Sequence, residues 1–133
     1  MTVAASVNRG ERLQHLIQYI ATGRILEAMN EFYAEDVQMQ ENGNPPTIGL
    51  RANIEQARQF LDSVKEWKTV EVKASVVWGD VSFYETVLDW VTTAGSPVRL
   101  EQVAVARWRD GKIVHERFYY DPAALPKTEG STT

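Results

Sequence analysis

Three carboxylates stand where acid/base chemistry could be done: Glu41, Glu116 and Asp121. Glu41 follows the short alternating run "DVQMQ". An apolar mouth around it would favour the neutral acid and bring its pKa into the range of a general base; in open solvent it is a loop glutamate beside Asn42. Glu116 lies in "KIVHERFYY", where Val114, Glu116, Phe118 and Tyr120 fall on one face of an extended strand and Ile113, His115, Arg117 and Tyr119 on the other. If the first face points inward, a carboxylate among Val, Phe and Tyr has to be neutral, paired or hydrogen-bonded. In the opposite register Glu116 meets water, and His115 and Arg117 lie inside or at a subunit interface. Asp121 precedes Pro122, the usual setting of a turn aspartate, and also ends the strand where an acid/base could sit.

A fourth carboxylate depends on a register the sequence leaves open. In the strand at 81–91, Phe83, Glu85, Val87 and Asp89 share one face, and Tyr84, Thr86, Leu88 and Trp90 the other. With the first set inward, Glu85 would join Glu116, and their repulsion would raise one pKa.

Other chemistries are disfavoured by composition. The 133 residues contain no cysteine, which excludes disulfides, thiolate metal sites and a cysteine nucleophile. Histidine occurs only at positions 15 and 115, in no metal-binding spacing, so neither a metal nor another cofactor is expected; His15 reads as a surface residue. A net charge of -4 without any basic cluster argues against nucleic acid, and no apolar run has the roughly 18 residues of a membrane span. The cytoplasm is the expected compartment.

These side chains must be positioned by elements legible as periodicity. Leu13, Leu16, Ile17 and Ile20 form one helical stripe, Gly23 stops it, and Ile25, Leu26, Met29, Phe32 and Tyr33 restart the period. After "DVQMQ" and the turn-rich "ENGNPPTIG", a third helix is expected through "LRANIEQARQFLDSV". Four extended segments follow: "WKTVEVKASVVW", "VSFYETVLDWVTT", "VRLEQVAVARWR" and "KIVHERFYY". Asp110-Gly111 between the last two is a strong hairpin signal, because a type I′ turn needs positive φ at both centres. Helices followed by an antiparallel meander indicate an α+β domain in which a curved sheet wraps a helix layer. The four tryptophans, at 67, 78, 90 and 108, flank strands and read mostly as core or interface anchors.

This order, together with "FYAEDVQMQENGNPPTIG" and "WRDGKIVHERFYYD", resembles the nuclear-transport-factor-2-like superfold in its SnoaL-like and ketosteroid-isomerase-like branch. The likeness spans about residues 10 to 125. It implies a cone-shaped domain at 11–125, with three N-terminal helices on a strongly curved, mostly antiparallel sheet enclosing a pocket. Residues 1–10 are expected to be flexible and 126–133 to fray. Leu16, Tyr19, Ala104, Phe118 and Tyr120 are the expected pocket lining.

The superfold hosts several activities, so the resemblance is tested residue by residue. In ketosteroid isomerases an aspartate base moves a proton beside a carbonyl, while a tyrosine and a neutral aspartate hold the oxyanion. Matched positions give Glu41 for the base but Leu16 and Ala104 for the two donors, so familiar steroid isomerisation is not expected. The SnoaL-like cyclases place an acid/base aspartate at the end of the last strand, which Tyr119, Tyr120 and Asp121 resemble. The resemblance therefore implies an isomerase or cyclase acting beside a carbonyl on a small apolar or polycyclic molecule, with Glu41, Glu116 and Asp121 as catalytic candidates. It also implies a homodimer through the outer sheet face. The competing expectation is a non-catalytic ligand-binding or dimerisation module; epoxide hydrolysis would want an Asp-Arg-Asp arrangement that the matched positions do not assemble.

Overall fold

The computed structural model describes residues 2–126. The three α-helices are α1 (Thr2–Ala21) and α2 (Ile25–Phe32), which open the chain, and α3 (Leu50–Asp62), which follows two strands. α1 buries Leu13 and Leu16 almost completely and begins at Thr2, within the segment expected to be loose. Apart from Pro126, the tail expected to fray lies outside the described residues. Gly23 takes φ 76°. Its N–H donates to Ile20 O at 3.0 Å and that of Arg24 to Tyr19 O at 2.8 Å, the paired bonds of a helix terminus that needs a left-handed residue. That turn sends α2 back across α1. Arg12 on α1 donates to Glu31 and to the Gly111 carbonyl, and its guanidinium lies 4.2 Å from the centre of the Phe32 ring.

The strands are β1 (Tyr33–Glu41), β2 (Thr47–Ile48), β3 (Val64–Trp78), β4 (Val81–Thr92), β5 (Pro97–Arg109) and β6 (Lys112–Tyr119). They form one open six-stranded sheet in the order β2-β1-β6-β5-β4-β3. β3 to β6 are the antiparallel meander the patterning indicates, and the turn between β5 and β6 has positive φ at both Asp110 (53°) and Gly111 (77°). β1 instead pairs with β6 in parallel, which a helix-rich crossover allows and a hairpin cannot. No described helix is long and apolar enough to cross a membrane.

Two departures from strict alternation set the inner surface. Arg107 pairs with His115 and Trp108 with Ile113, so one residue of β6, Val114, is extra and forms a bulge. Ile113 and Glu116, assigned to opposite faces by simple alternation, are therefore both fully buried. On β4 the inward set is Ser82, Tyr84, Thr86 and Trp90, while Glu85 is exposed. The register that would have put Glu85 beside Glu116 is excluded.

The main core joins Leu13 and Leu16 of α1 to Met29 and Phe32 of α2, and to Tyr33, Val37, Tyr84, Ala104, Ala106, Trp108 and Ile113 of the sheet. Its only buried indole N–H is satisfied, since Trp108 Nε1 donates to Ser82 Oγ at 2.9 Å. A smaller cluster of Trp90, Val98 and Leu100 fills the other end, with Trp67 packed against it. Trp78, by contrast, is 80% exposed on the outer face. His15 is exposed, as expected.

Candidate active site

Three cross-strand rows on the concave face build the site. In the first, Ser82, Ala106, Glu116 and Met39 are neighbours across β4, β5, β6 and β1. The second row is Tyr84, Ala104, Phe118 and Glu41, and the third begins with Thr86 opposite Gln102. Alanine at 104 and 106 matters because larger side chains there would fill the space that the neighbouring Tyr84 and Glu116 side chains occupy.

Glu116 has no exposed surface. The Tyr33 hydroxyl donates to its Oε1, and the Tyr84 hydroxyl to its Oε2 at 3.1 Å. Each carboxylate oxygen thus has its own donor, the arrangement a buried carboxyl needs. Burial pushes the Glu116 pKa up to about 7, and the two tyrosine hydrogen bonds pull the other way. Burial raises both tyrosine pKa values well above the usual range, and the nearby Glu116 charge adds to this. The group of this cluster that gains and loses a proton nearest neutral pH is therefore the Glu116 carboxyl, while both tyrosines keep theirs.

Tyr33 and Tyr84 separate Glu116 from a cavity of about 220 Å³, walled mainly by Leu16, Ile20, Met29, Trp67, Val70 and Phe118. Thr86 and Gln102 are also on that wall, and Thr86 Oγ1 is a buried side-chain oxygen with no hydrogen-bond partner among the described residues. A wider cleft of about 540 Å³ adjoins the cavity through shared walls at Met29, Met39, Phe60 and Phe118. Phe60 stacks edge-on against Trp90, with ring centres 5.3 Å apart, and forms part of both walls.

The second carboxylate lies at the rim of this cleft. Glu41 is exposed and accepts a hydrogen bond from the Tyr120 hydroxyl, whose pKa is raised by burial and by that contact. Asn42, at φ 50°, fixes this corner. Its N–H donates to Phe118 O at 2.8 Å, its Oδ1 accepts from the Tyr120 N–H at 3.0 Å, and its carbonyl accepts from Arg117 Nε at 2.7 Å. Asparagine tolerates the left-handed region better than most residues, so the position suits it.

The remaining expected residues divide. Leu16 and Phe118 line the cavity, Phe118 and Tyr120 the cleft. Ala104 is fully buried and lines neither space. Tyr19 packs edge-on against Phe32, at 5.4 Å between ring centres, with the Arg24 guanidinium 4.1 Å from its own ring; it sits at a helix seam and lines neither space. Asp121 caps the 3-10 turn Pro122–Ala124 by accepting from the Ala123 N–H at 2.9 Å and lies outside both spaces, so it occupies the turn role. His115 faces away from Glu116; its pKa is lowered by burial and by Arg107 and Arg117. Tyr33, Tyr84, Thr86 and Gln102 were not among the expected site residues. The one signal for Tyr84 and Thr86 was the more apolar of the two faces of β4.

The geometry has counterparts among known proteins. A family model described as a SnoaL-like domain matches residues 13–116. A Mesorhizobium loti structure assigned as a SnoaL-like polyketide cyclase is similar at 25% identity and TM-score 0.73, covering 90% of this chain and 100% of that one. A Xanthomonas campestris pv. campestris structure assigned as a polyketide cyclase is similar at 25% identity and TM-score 0.70, covering 87% and 92%. A Jannaschia structure assigned as a SnoaL-like polyketide cyclase shares the fold at TM-score 0.76 and 17% identity, covering 90% and 89%. Among curated proteins, none matches the chain. With the family model covering most of the chain from α1 to Glu116, and with the curved sheet and helix layer in the same arrangement as these structures, the protein belongs to the SnoaL-like family.

Proposed function

We propose that the protein is a cofactor-independent isomerase or cyclase that moves a proton beside a carbonyl on a small apolar or polycyclic molecule. The observation that carries this reading is Glu116, buried behind the cavity wall and held by two tyrosine hydroxyls. Ionised Glu116 draws both O–H groups toward itself. Neutral Glu116 can donate its proton to one tyrosine oxygen, which frees that tyrosine to donate into the cavity. A substrate carbonyl there would meet an O–H backed by a carboxylic acid, and the charge developing on its oxygen would be stabilised without Leu16 or Ala104 supplying a donor. Glu41 at the adjoining rim is the base in this reading: it takes the proton from the carbon next to the carbonyl, leaving an enolate free to be reprotonated or to attack within the same molecule. Asp121 is left without a step.

The test is hydrogen–deuterium exchange of 2-tetralone in D2O, followed by proton NMR. The native protein should accelerate exchange beside the carbonyl, and Glu41→Gln and Tyr84→Phe should each slow it by about a hundredfold. Exchange no faster than in buffer would remove the catalytic reading. A non-catalytic ligand carrier is the second reading, favoured by the complete burial of Glu116, since two tyrosines can satisfy it as a purely structural cluster; it predicts tetralone binding without exchange. We also infer a homodimer through the outer sheet face, supported by exposed Val76, Trp78, Val103 and Tyr119 there; by light scattering the native protein should be a dimer and Trp78→Lys a monomer.

A further inference from the structure

The cavity holds a second polar place that the Glu116 cluster does not use. Thr86 is 2% exposed, and its Oγ1 has no partner among the described residues. Such an orphaned oxygen is unfavourable in an empty apolar wall, so its presence points to a partner supplied from outside. Gln102 stands directly opposite Thr86 on β5 and lines both the cavity and the cleft. A step of about 120° in χ1 of Thr86 carries its hydroxyl to the place of its methyl or of its hydrogen without moving the strand. Around this pair the wall is apolar, with Leu16, Met29, Val70, Leu88 and Phe118. Along β4, Thr86 comes two residues after Tyr84, so the two polar places are one strand repeat apart on the same side, about 6.6 Å along the backbone.

We propose that Thr86 and Gln102 form a specificity subsite for a second oxygen of the ligand. The ligand class is then an apolar ring compound carrying two oxygen functions, one received by Tyr33 and Tyr84 and the other by Thr86 and Gln102. This rests on the reading above for the first oxygen and adds the second. Gln102 can donate or accept through its amide and Thr86 through its hydroxyl, so the subsite takes either a carbonyl or a hydroxyl. A hydrocarbon edge placed there would leave Thr86 unsatisfied, which makes the pair selective as well as attractive.

The experiment compares two probes, 2-naphthol and 2,6-dihydroxynaphthalene, by calorimetric titration of the full chain at pH 6.5. The native protein should bind the diol roughly five- to tenfold more tightly than the mono-ol, as one added hydrogen bond would give. Thr86→Val, which keeps the shape, and Gln102→Leu should each abolish most of that ratio. Tyr84→Phe should weaken both probes alike and preserve the ratio, so failure of the tyrosine reading appears in the mono-ol and failure of the subsite in the ratio. The subsite is overturned if the native ratio is near one, if the ratio survives both Thr86→Val and Gln102→Leu, or if neither probe binds at millimolar concentration.

Discussion

Tyr84 on β4 donates its hydroxyl to Glu116 on β6 at 3.1 Å, reaching past the intervening strand β5. The contact is made over Ala104 and Ala106, the in-register neighbours of Tyr84 and Glu116 on β5. Tyr33 closes the other side of the carboxyl from the start of β1. The predictions below follow from this enclosure.

Stability should depend on pH through Glu116. Its folded pKa, about 7, lies above that of an unfolded glutamate, so the folded state binds the proton more tightly. The neutral carboxyl therefore gives its full contribution below about pH 4.3, and that contribution is lost as pH rises through the folded value, on the order of 3 kcal/mol in all. Glu116→Gln, which stays neutral, should remove this dependence: urea denaturation is expected to show the variant gaining on the native protein between about pH 5 and 8.

Enlarging Ala106 should be damaging although the change is apolar. Ala106 is fully buried and sits between Ser82 and Glu116 in its row. Ala106→Leu is expected to cost about 1–3 kcal/mol by overcrowding, read as a lower midpoint in thermal denaturation.

Removing the Asn42 side chain should loosen the rim rather than the core. Asn42→Ala loses the bond from the Tyr120 N–H and places alanine at φ 50°. A loss of about 1–2 kcal/mol is expected, together with faster amide exchange at Tyr120 and unchanged protection of the β4 amides.

Periodicity made most of the fold legible. The helix stripes, the Gly23 stop, the four long strands and the Asp110-Gly111 hairpin all depend on neighbours within a few residues, where side-chain chemistry dictates backbone form. The parallel pairing of β1 with β6 was not legible, because it joins segments some 80 positions apart and carries no turn signal between them. The site suffered from the same limit. Glu116 could be singled out as a carboxylate between apolar neighbours, but its inward register was only one of two alternatives. Ile113 was assigned to the opposite face because a bulge at Val114 breaks the alternation. Tyr33 was hidden at the junction of α2 and β1, where it completed a helical stripe, and Tyr84 on a strand whose facing was open. Asp121 drew notice through a motif ending, while its local chemistry, an aspartate before proline, already described the cap it forms.

The most direct measurement is the pKa of Glu116 itself, by carbon NMR of the labelled side-chain carboxyl in the native protein and in Tyr33→Phe and Tyr84→Phe. A buried carboxyl opposed by two donating hydroxyls should titrate near 7 in the native protein and move higher in each variant as one stabilising bond is lost. A native value near that of a solvated glutamate, unmoved by either substitution, would contradict the account of a proton-holding centre behind the cavity wall.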